Sequence, residues 1–315
     1  MATIKDVAAL AGISYTTVSH VVNKTRPVSE RVRLKVEAAI AELDYVPSAV
    51  ARSLKAKTTA TIGLLVPNSL NPYFAELARG IEDYCERNNY CVILCNSDDD
   101  PDKQRNYLRV LLEKRDSLAS GLLAVRTPMV IVDREIAGVE TDRVRIDHEE
   151  GAYLATRHLL ELGHRAIAFI GGPLDNSVAQ LRLAGYRRAL RQAKVKVSAS
   201  SVLASDFTST GGYRAAAQLL EGERPTAIFA SNDLLGIGAL RAAAERDIRV
   251  PGELSVIGFD DIQMSRYVYP ALTTVGQSIL QLGETAAELL LRLQRIVIPS
   301  IVLRESTAPV PDASA

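Results

Sequence analysis

The sequence predicts two structural classes in one chain: a small all-α helix-turn-helix head and, behind it, a doubly wound α/β core built on parallel sheets. Three observations carry this expectation. Within residues 1–46 apolar positions recur at helical spacings, and Gly12 interrupts them. From Thr61 onward, short runs that are apolar at every residue alternate with helix-like stretches, as strands covered on both faces do. The charge is uneven: residues 1–57 hold nine Lys or Arg against five Asp or Glu, so a head of +4 precedes a body of −4 in a chain of net charge zero.

In the head, Thr3 caps a first helix from Lys5 to Leu10, with Val7, Ala8 and Leu10 available for a core and Asp6 near the positive end of the helix dipole. Gly12 ends that helix, because glycine alone enters a left-handed turn without steric penalty, and Ser14 caps the next. On the second helix, Tyr15 to Asn23, Val18, Val21 and Val22 form an apolar stripe, leaving Tyr15, Thr16, Ser19, His20 and Asn23 on the outer face. Those short or planar hydrogen-bonding side chains suit base edges in a major groove better than phosphate alone; an ordinary solvated face is the competing explanation. After a loop with Lys24, Arg26 and Pro27, Ser29 caps a third helix to about Asp44, with Val32, Val36, Ala39, Ile40 and Leu43 inward. Pro47 breaks the chain, and Ser48 caps a segment, Ala49 to Lys55, too short to be a stable helix in water. It is either a plain linker or a segment that folds on binding.

In the core, strands are expected at Thr61–Val66, Cys91–Cys95, Met129–Val132, Ala166–Ile170, Ala227–Ala230 and Ser255–Phe259. Helices are expected at Tyr73–Asn88, Glu150–Leu162, Arg182–Ala193, Gly211–Leu220, Leu234–Arg246 and Ile279–Arg295. Just past four of the strands lie Asn68 and Asn71, Asp133 and Arg134, Asn232 and Asp233, and Asp260 and Asp261. Ligands of open parallel sheets bind at the carboxyl ends of strands, so these groups converge on one rim; for any one of them a helix cap is an equal explanation. With Tyr73, Phe74 and Phe207 nearby, the set suits a sugar, which offers hydroxyls at its edge and apolar faces above and below.

Other classes are disfavoured. The apolar runs are too short to span a membrane and the N-terminus lacks a secretory layout, so a cytoplasmic protein with no membrane partner is expected. Cys85, Cys91 and Cys95 form no C-x-x-C pair, so buried thiols rather than a disulfide or metal site are expected, and no cofactor is implied. No catalytic residue is assigned: the chain has no Gly-x-Ser-x-Gly or His-Glu-x-x-His, and His20, His148, His158 and His164 are not grouped with a nucleophile. Gly236-Ile-Gly238 begins like a dinucleotide fingerprint, but Arg241 takes the third glycine position and the glycines fall in a helix.

Six stretches together resemble the lactose-repressor and galactose-repressor (LacI/GalR) family of bacterial transcription regulators: Ile4–Ala8, Thr17–Asn23, Pro47–Leu54, Ser231–Asp233, Val256–Asp261 and Leu272–Thr274. The resemblance runs from Ala2 to about Thr307 and is nearest to the ribose and purine repressors. It implies a head at 1–46, a hinge helix and linker at 47–60, and a periplasmic-binding-protein-like core at 61–310. The core would comprise two doubly wound parallel-sheet subdomains, about 61–147 with 276–295 and about 148–275 with 296–310. It also implies a homodimer on double-stranded operator DNA, with Thr16, Thr17 and His20 reading bases and Tyr15, Asn23 and Arg26 nearby. Ser48, Ala51, Leu54 and Lys55 would lie in the minor groove, Leu54 as a wedge in the central base step.

By likeness to ribose-binding proteins, the effector contacts are Asn71, Tyr73, Phe74, Asp133, Arg134, Arg182, Phe207, Asn232, Asp260 and Gln277. Purine repressors carry an arginine and a threonine where this chain has Asn176 and Val178, which favours a pentose such as ribose over a purine co-repressor. Whether the ligand induces or co-represses stays open, as does the sign of regulation. A transport-type sugar-binding protein is the alternative from another class, and the basic head argues against it. The resemblance also marks two shortenings. The one between Arg115 and Met129, by about a dozen residues, removes the strand or the helix of one βα unit, which would bare edge hydrogen-bonding groups and apolar surface. A second lies between Arg295 and Ile301.

Overall fold

A computed structural model describes residues 2–23, 25–46, 59–111, 128–133 and 141–293. The chain divides into two compact units, Met1–Thr61 and Ile62–Ala315.

The first unit holds α1 (Ile4–Ala11), α2 (Tyr15–Asn23) and α3 (Glu30–Glu42). Thr3 opens α1 with a capping box, accepting from the Asp6 amide while the Asp6 carboxylate accepts from the Thr3 amide at 2.8 Å. Those bonds hold the Asp6 carboxyl below the ordinary aspartate range. Gly12 closes α1 at φ +64°, its amide donating to Ala8 and Ala9 carbonyls. The Ser14 hydroxyl then accepts from the Thr17 amide at 3.2 Å, as an N-cap does. Ser29 stands at the cap position of α3 but makes no side-chain cap bond. Val7, Val18, Val36 and Ala39 are buried at the centre, with Ala8, Val21, Val22, Ile40 and Leu43 around them. Leu10, expected inward, is 46% exposed, because the face of α1 that packs is Ile4, Val7, Ala8 and Ala11, and Leu10 lies off it.

The second unit begins with β1 (Thr61–Val66), α4 (Pro72–Arg87), β2 (Cys91–Asn96), α5 (Pro101–Leu111), β3 (Val130–Val132) and β4 (Asp142–Val144). It continues with α6 (His148–Glu161), β5 (Ile167–Gly171), α7 (Ser177–Gln192), β6 (Val202–Ala204), α8 (Ser209–Glu221), β7 (Ala227–Ala230), α9 (Asp233–Ala244), β8 (Ser255–Asp260), β9 (Thr273–Gly276) and α10 (Ile279–Leu293). Five strands form one parallel sheet in the order β6-β5-β7-β8-β9. Its central strands alternate between two buried layers. Ala168, Ile170, Ile228 and Ala230 pack with α8 and α9, whereas Ile167, Phe169, Ala227 and Phe229 pack with Leu159 of α6 and Tyr186 of α7. Burial on both faces is why these runs are apolar at every residue.

The other half is built differently. Among the described residues β1 pairs only with β2, and β3 only with β4 in parallel. Strand β2, read from its apolar run as covered on both faces, leaves Ile93 52% and Leu94 47% exposed. The shortening between Arg115 and Met129 falls largely, and that between Arg295 and Ile301 wholly, outside the described residues. Helix α10 returns to pack on α4 through glycine: a Cβ on Gly80 would stand 2.1 Å from the Leu280 carbonyl oxygen, and one on Gly283 2.4 Å from that of Leu77. Ile262, next to the end of β8, is buried in the same cluster as Tyr73, Leu77 and Ile279, so the two halves share a core.

Helix α5 and strands β4, β6 and β9 were not expected from sequence. Each short strand has three or four residues and partly exposed positions, so none writes a long apolar run. Cys85 and Cys95 are buried as expected, but Cys91 is exposed. No described helix is long and apolar enough to cross a membrane.

Candidate functional site

On the head, Tyr15, Thr16 and Arg26 are exposed, and Thr17, His20 and Asn23 are half-buried. The His20 Nδ1 lies 2.7 Å from the Thr25 hydroxyl, which orients the ring. Thr17 shares its hydroxyl with Ser14 at 2.8 Å. Asn23 folds its amide back onto the Ser19 carbonyl at 2.8 Å, leaving its carbonyl oxygen as the group with reach. Ser19, expected on the outer face, is instead buried, its hydroxyl accepting from Asn23 at 3.2 Å. The stripe of α2 is therefore wider than its valines alone. Ser48, Ala51, Leu54, Lys55 and Arg134 lie outside the described residues.

In the second unit the remaining expected contacts fall into two groups. Tyr73, in the first turn of α4, is buried and donates from its hydroxyl to Asp133 Oδ2 at 2.9 Å. Burial and the neighbouring Asp133 and Asp260 carboxylates push its phenol well above the ordinary tyrosine range. Phe74 meets Tyr73 edge-to-face at 5.1 Å. Across from Tyr73, Asp133 Oδ1 accepts from His148 Nε2 at 2.6 Å.

The second group centres on Arg182, which is 3% exposed. Its Nε donates to His148 Nδ1 at 3.3 Å, Nη1 to the Ser231 carbonyl, and Nη2 to Asp260 Oδ1 at 2.9 Å. The guanidinium lies 3.8 Å from the centre of the Phe259 ring. Gln277 donates to the same Asp260 oxygen, while its own Oε1 is buried with no partner among the described residues. Burial raises the Asp260 carboxyl to about 7, with Arg182 opposing the shift. One continuous side-chain chain thus runs from Tyr73 through Asp133, His148, Arg182 and Asp260 to Gln277.

Other rim residues do other work. Asn71 and Asn232 are caps, their Oδ1 atoms accepting from the Tyr73 amide at 3.1 Å and the Leu235 amide at 2.9 Å. The Asn232 amide also donates to the Phe207 carbonyl at 3.1 Å, fixing a residue at φ +63° whose ring covers the space beside Gly172. Asp233 is buried between the Ile262 amide, at 2.9 Å, and the Thr274 hydroxyl; burial lifts its carboxyl to about 6. Asp261 pairs with Arg266 at 2.9 Å. The cap explanation holds for Asn71 and Asn232.

His148 is the site neighbour that sequence reasoning passed over. It follows β4, a strand too short to read, so its place at a strand's carboxyl end was hidden. Gly236 and Gly238 resolve as packing positions: a Cβ on Gly238 would stand 2.1 Å from the Ser209 carbonyl oxygen of α8. His164 bonds Thr226 and Ser255, each at 3.0 Å, a structural role. The described residues contain no group of His, Cys, Asp and Glu able to hold a metal.

A helix-turn-helix head followed by an α/β body with helices on both faces of its parallel sheet and a polar network at the strand ends defines the class of ligand-controlled DNA-binding regulators. Comparison with known proteins agrees segment by segment. Residues 3–48 match the family of bacterial regulatory proteins of the lacI family, and residues 156–310 match the periplasmic binding protein-like domain. The chain is 44% identical over 305 residues to the HTH-type transcriptional repressor PurR of Aliivibrio salmonicida (strain LFI1238), covering 92% of both. Among solved structures, the lac repressor bound to ONPG in the repressed state is 32% identical with a TM-score of 0.83 over 93% of each chain. A LacI family regulator from Enterococcus faecium with bound ribose is 34% identical with a TM-score of 0.67, over 74% of this chain and 90% of that one. The chain belongs to the LacI family: it is a DNA-binding transcription regulator, not an enzyme. Repressors of this family bind operator DNA and small-molecule effectors and act as dimers.

Proposed function

We propose that this regulator is a homodimeric repressor whose operator affinity is set by a neutral polyhydroxylated ligand, a pentose such as ribose, held by the cleft. The head would be 1–46, the hinge 47–60 and the effector core 61–310. Thr16, Thr17 and His20 read bases, Tyr15, Asn23 and Arg26 flank them, and Ser48, Ala51, Leu54 and Lys55 supply the hinge contacts. The observation that carries the ligand reading is the convergence of two carboxylates and a guanidinium on the cleft. Asp133 and Asp260 offer acceptors, Arg182 offers donors, and the buried Gln277 Oε1 has no donor among the described residues. Vicinal hydroxyls, each both donor and acceptor, match that set. Asn71, Tyr73, Phe74, Arg134, Phe207 and Asn232 complete the proposed contacts. The ribose-bound relative from Enterococcus faecium supports the same ligand class.

A purine is the second reading, favoured by the PurR relatives at 44% identity. Against it, the Asn176 Oδ1 is already engaged as the cap of α7, accepting from Val178 and Ala179 amides at 2.9 and 3.2 Å, and Val178 brings no polar side-chain group. In either case the ligand acts only through its differential affinity for two arrangements of the dimer, one of which lets the hinge order on DNA. The test is binding of the full chain to a duplex selected from a randomised pool, at fixed salt, with D-ribose or hypoxanthine. Ribose should change the dissociation constant by about 10-fold or more. A response to hypoxanthine alone would establish the purine reading instead.

A further inference from the structure

We propose that His148 is a positioning residue of the effector cleft, a neutral imidazole that orients Asp133 and Arg182 toward the ligand from opposite sides. This rests on the effector reading above. An Arg Nε–H can only donate, so His148 Nδ1, at 3.3 Å from it, must present its lone pair. The ring proton therefore sits on Nε2 and is donated to Asp133 Oδ1 at 2.6 Å. The tautomer follows from its partners.

What this leaves for a ligand is specific. Asp133 uses one lone pair of each oxygen, on Tyr73 and His148, and among the described residues keeps a second on each. Arg182 spends Nε on His148 and one hydrogen of each Nη on Ser231 and Asp260. One N–H on each Nη is then left without a partner among the described residues. Holding Nε fixes the plane of the guanidinium on the Phe259 ring and so fixes the directions in which the two spare Nη hydrogens can reach a ligand oxygen. The ring cannot relax away: His148 is 3% exposed and stands in the first turn of α6, 6.0 Å from the Phe259 ring on which Arg182 lies.

The proposal predicts a pattern that a merely structural histidine would not produce. Glutamine carries a donor and an acceptor on one side-chain amide and can serve both partners, whereas phenylalanine fills the space and serves neither. D-ribose and hypoxanthine are titrated by calorimetry into the full chain and its variants, with the melting temperature of each recorded. His148→Phe should weaken binding of whichever probe the wild type binds by about 10-fold or more, and His148→Gln should restore most of it. Should the Phe variant not fold, His148→Asn, too short to reach both partners, takes its place. Imidazole 15N spectra at pH 8, with His148 assigned by its loss in His148→Gln among four histidines, should show a protonated Nε2 and a bare Nδ1. Equal binding by wild type and His148→Phe, or a protonated Nδ1, overturns the proposal while leaving the effector reading intact. Binding of hypoxanthine but not ribose overturns the sugar reading alone, and binding of neither overturns both.

Discussion

Arg182 and Asp260 form a buried ion pair at 2.9 Å, with side-chain exposures of 4% and 6%, and the same guanidinium reaches His148 and the Ser231 carbonyl. The two partners are not equivalent. Arginine stays charged, whereas burial brings the Asp260 carboxyl to about 7, so its neutral form is within easy reach. Arg182→Met should destabilise the core by about 3 kcal/mol or more, since it leaves the Ser231 carbonyl and His148 without their donor and forces Asp260 to take up a proton. Asp260→Asn should cost clearly less, because an amide resembles the protonated acid. Chemical denaturation at pH 7 compares the two; equal losses would contradict this asymmetry.

The same carboxyls set a pH dependence. Asp260 at about 7 and Asp233 at about 6 are raised above their unfolded value, so between pH 4 and 7 the folded state binds more protons than the unfolded state. Stability therefore falls as pH rises through 6 and 7. Lowering the pH from 8 to 6 should raise the melting temperature by about 2–5 °C, and the double variant Asp233→Asn, Asp260→Asn should flatten the curve. A wild-type curve flat over that window would refute it.

On the head, His20→Ala should weaken specific operator binding by about 1–3 kcal/mol and barely change binding to random duplex. Equal losses on both would place His20 on the backbone instead. The comparison is made by titration at one salt concentration.

Gly12 offers a cleaner measurement of a backbone effect. A Cβ there meets nothing within 4 Å, so Gly12→Ala changes little besides the strain of φ +64°. It should destabilise the head by about 1–2 kcal/mol, with Gly12→Asn costing less, as read by thermal unfolding. A larger loss would imply a contact that the geometry lacks.

How much could be read in advance divides along physical lines. The cap at Thr3, the turn at Gly12, the start of α2 at Tyr15 and the strands β5, β7 and β8 are local or fully buried, so composition and spacing reveal them. That Asp133 and Asp260 stand at the carboxyl ends of their strands could also be anticipated, because each directly follows or closes an apolar run. Short strands such as β4 bury little and stay silent, and with β4 the position of His148 stayed silent too.

By itself, then, the sequence determined the alternation of the longer strands and helices, the basic head and the family, since periodicity, caps and motifs are properties of neighbours along the chain. Only the tertiary structure decided which polar groups meet. Asp133 and His148 are joined across 15 positions, Arg182 and Asp260 across 78, and Asp233 is diverted to Ile262 and Thr274 instead of the rim. A hydrogen bond acts only over about 3 Å, so its partners are chosen by how the strands and helices bring the chain back on itself.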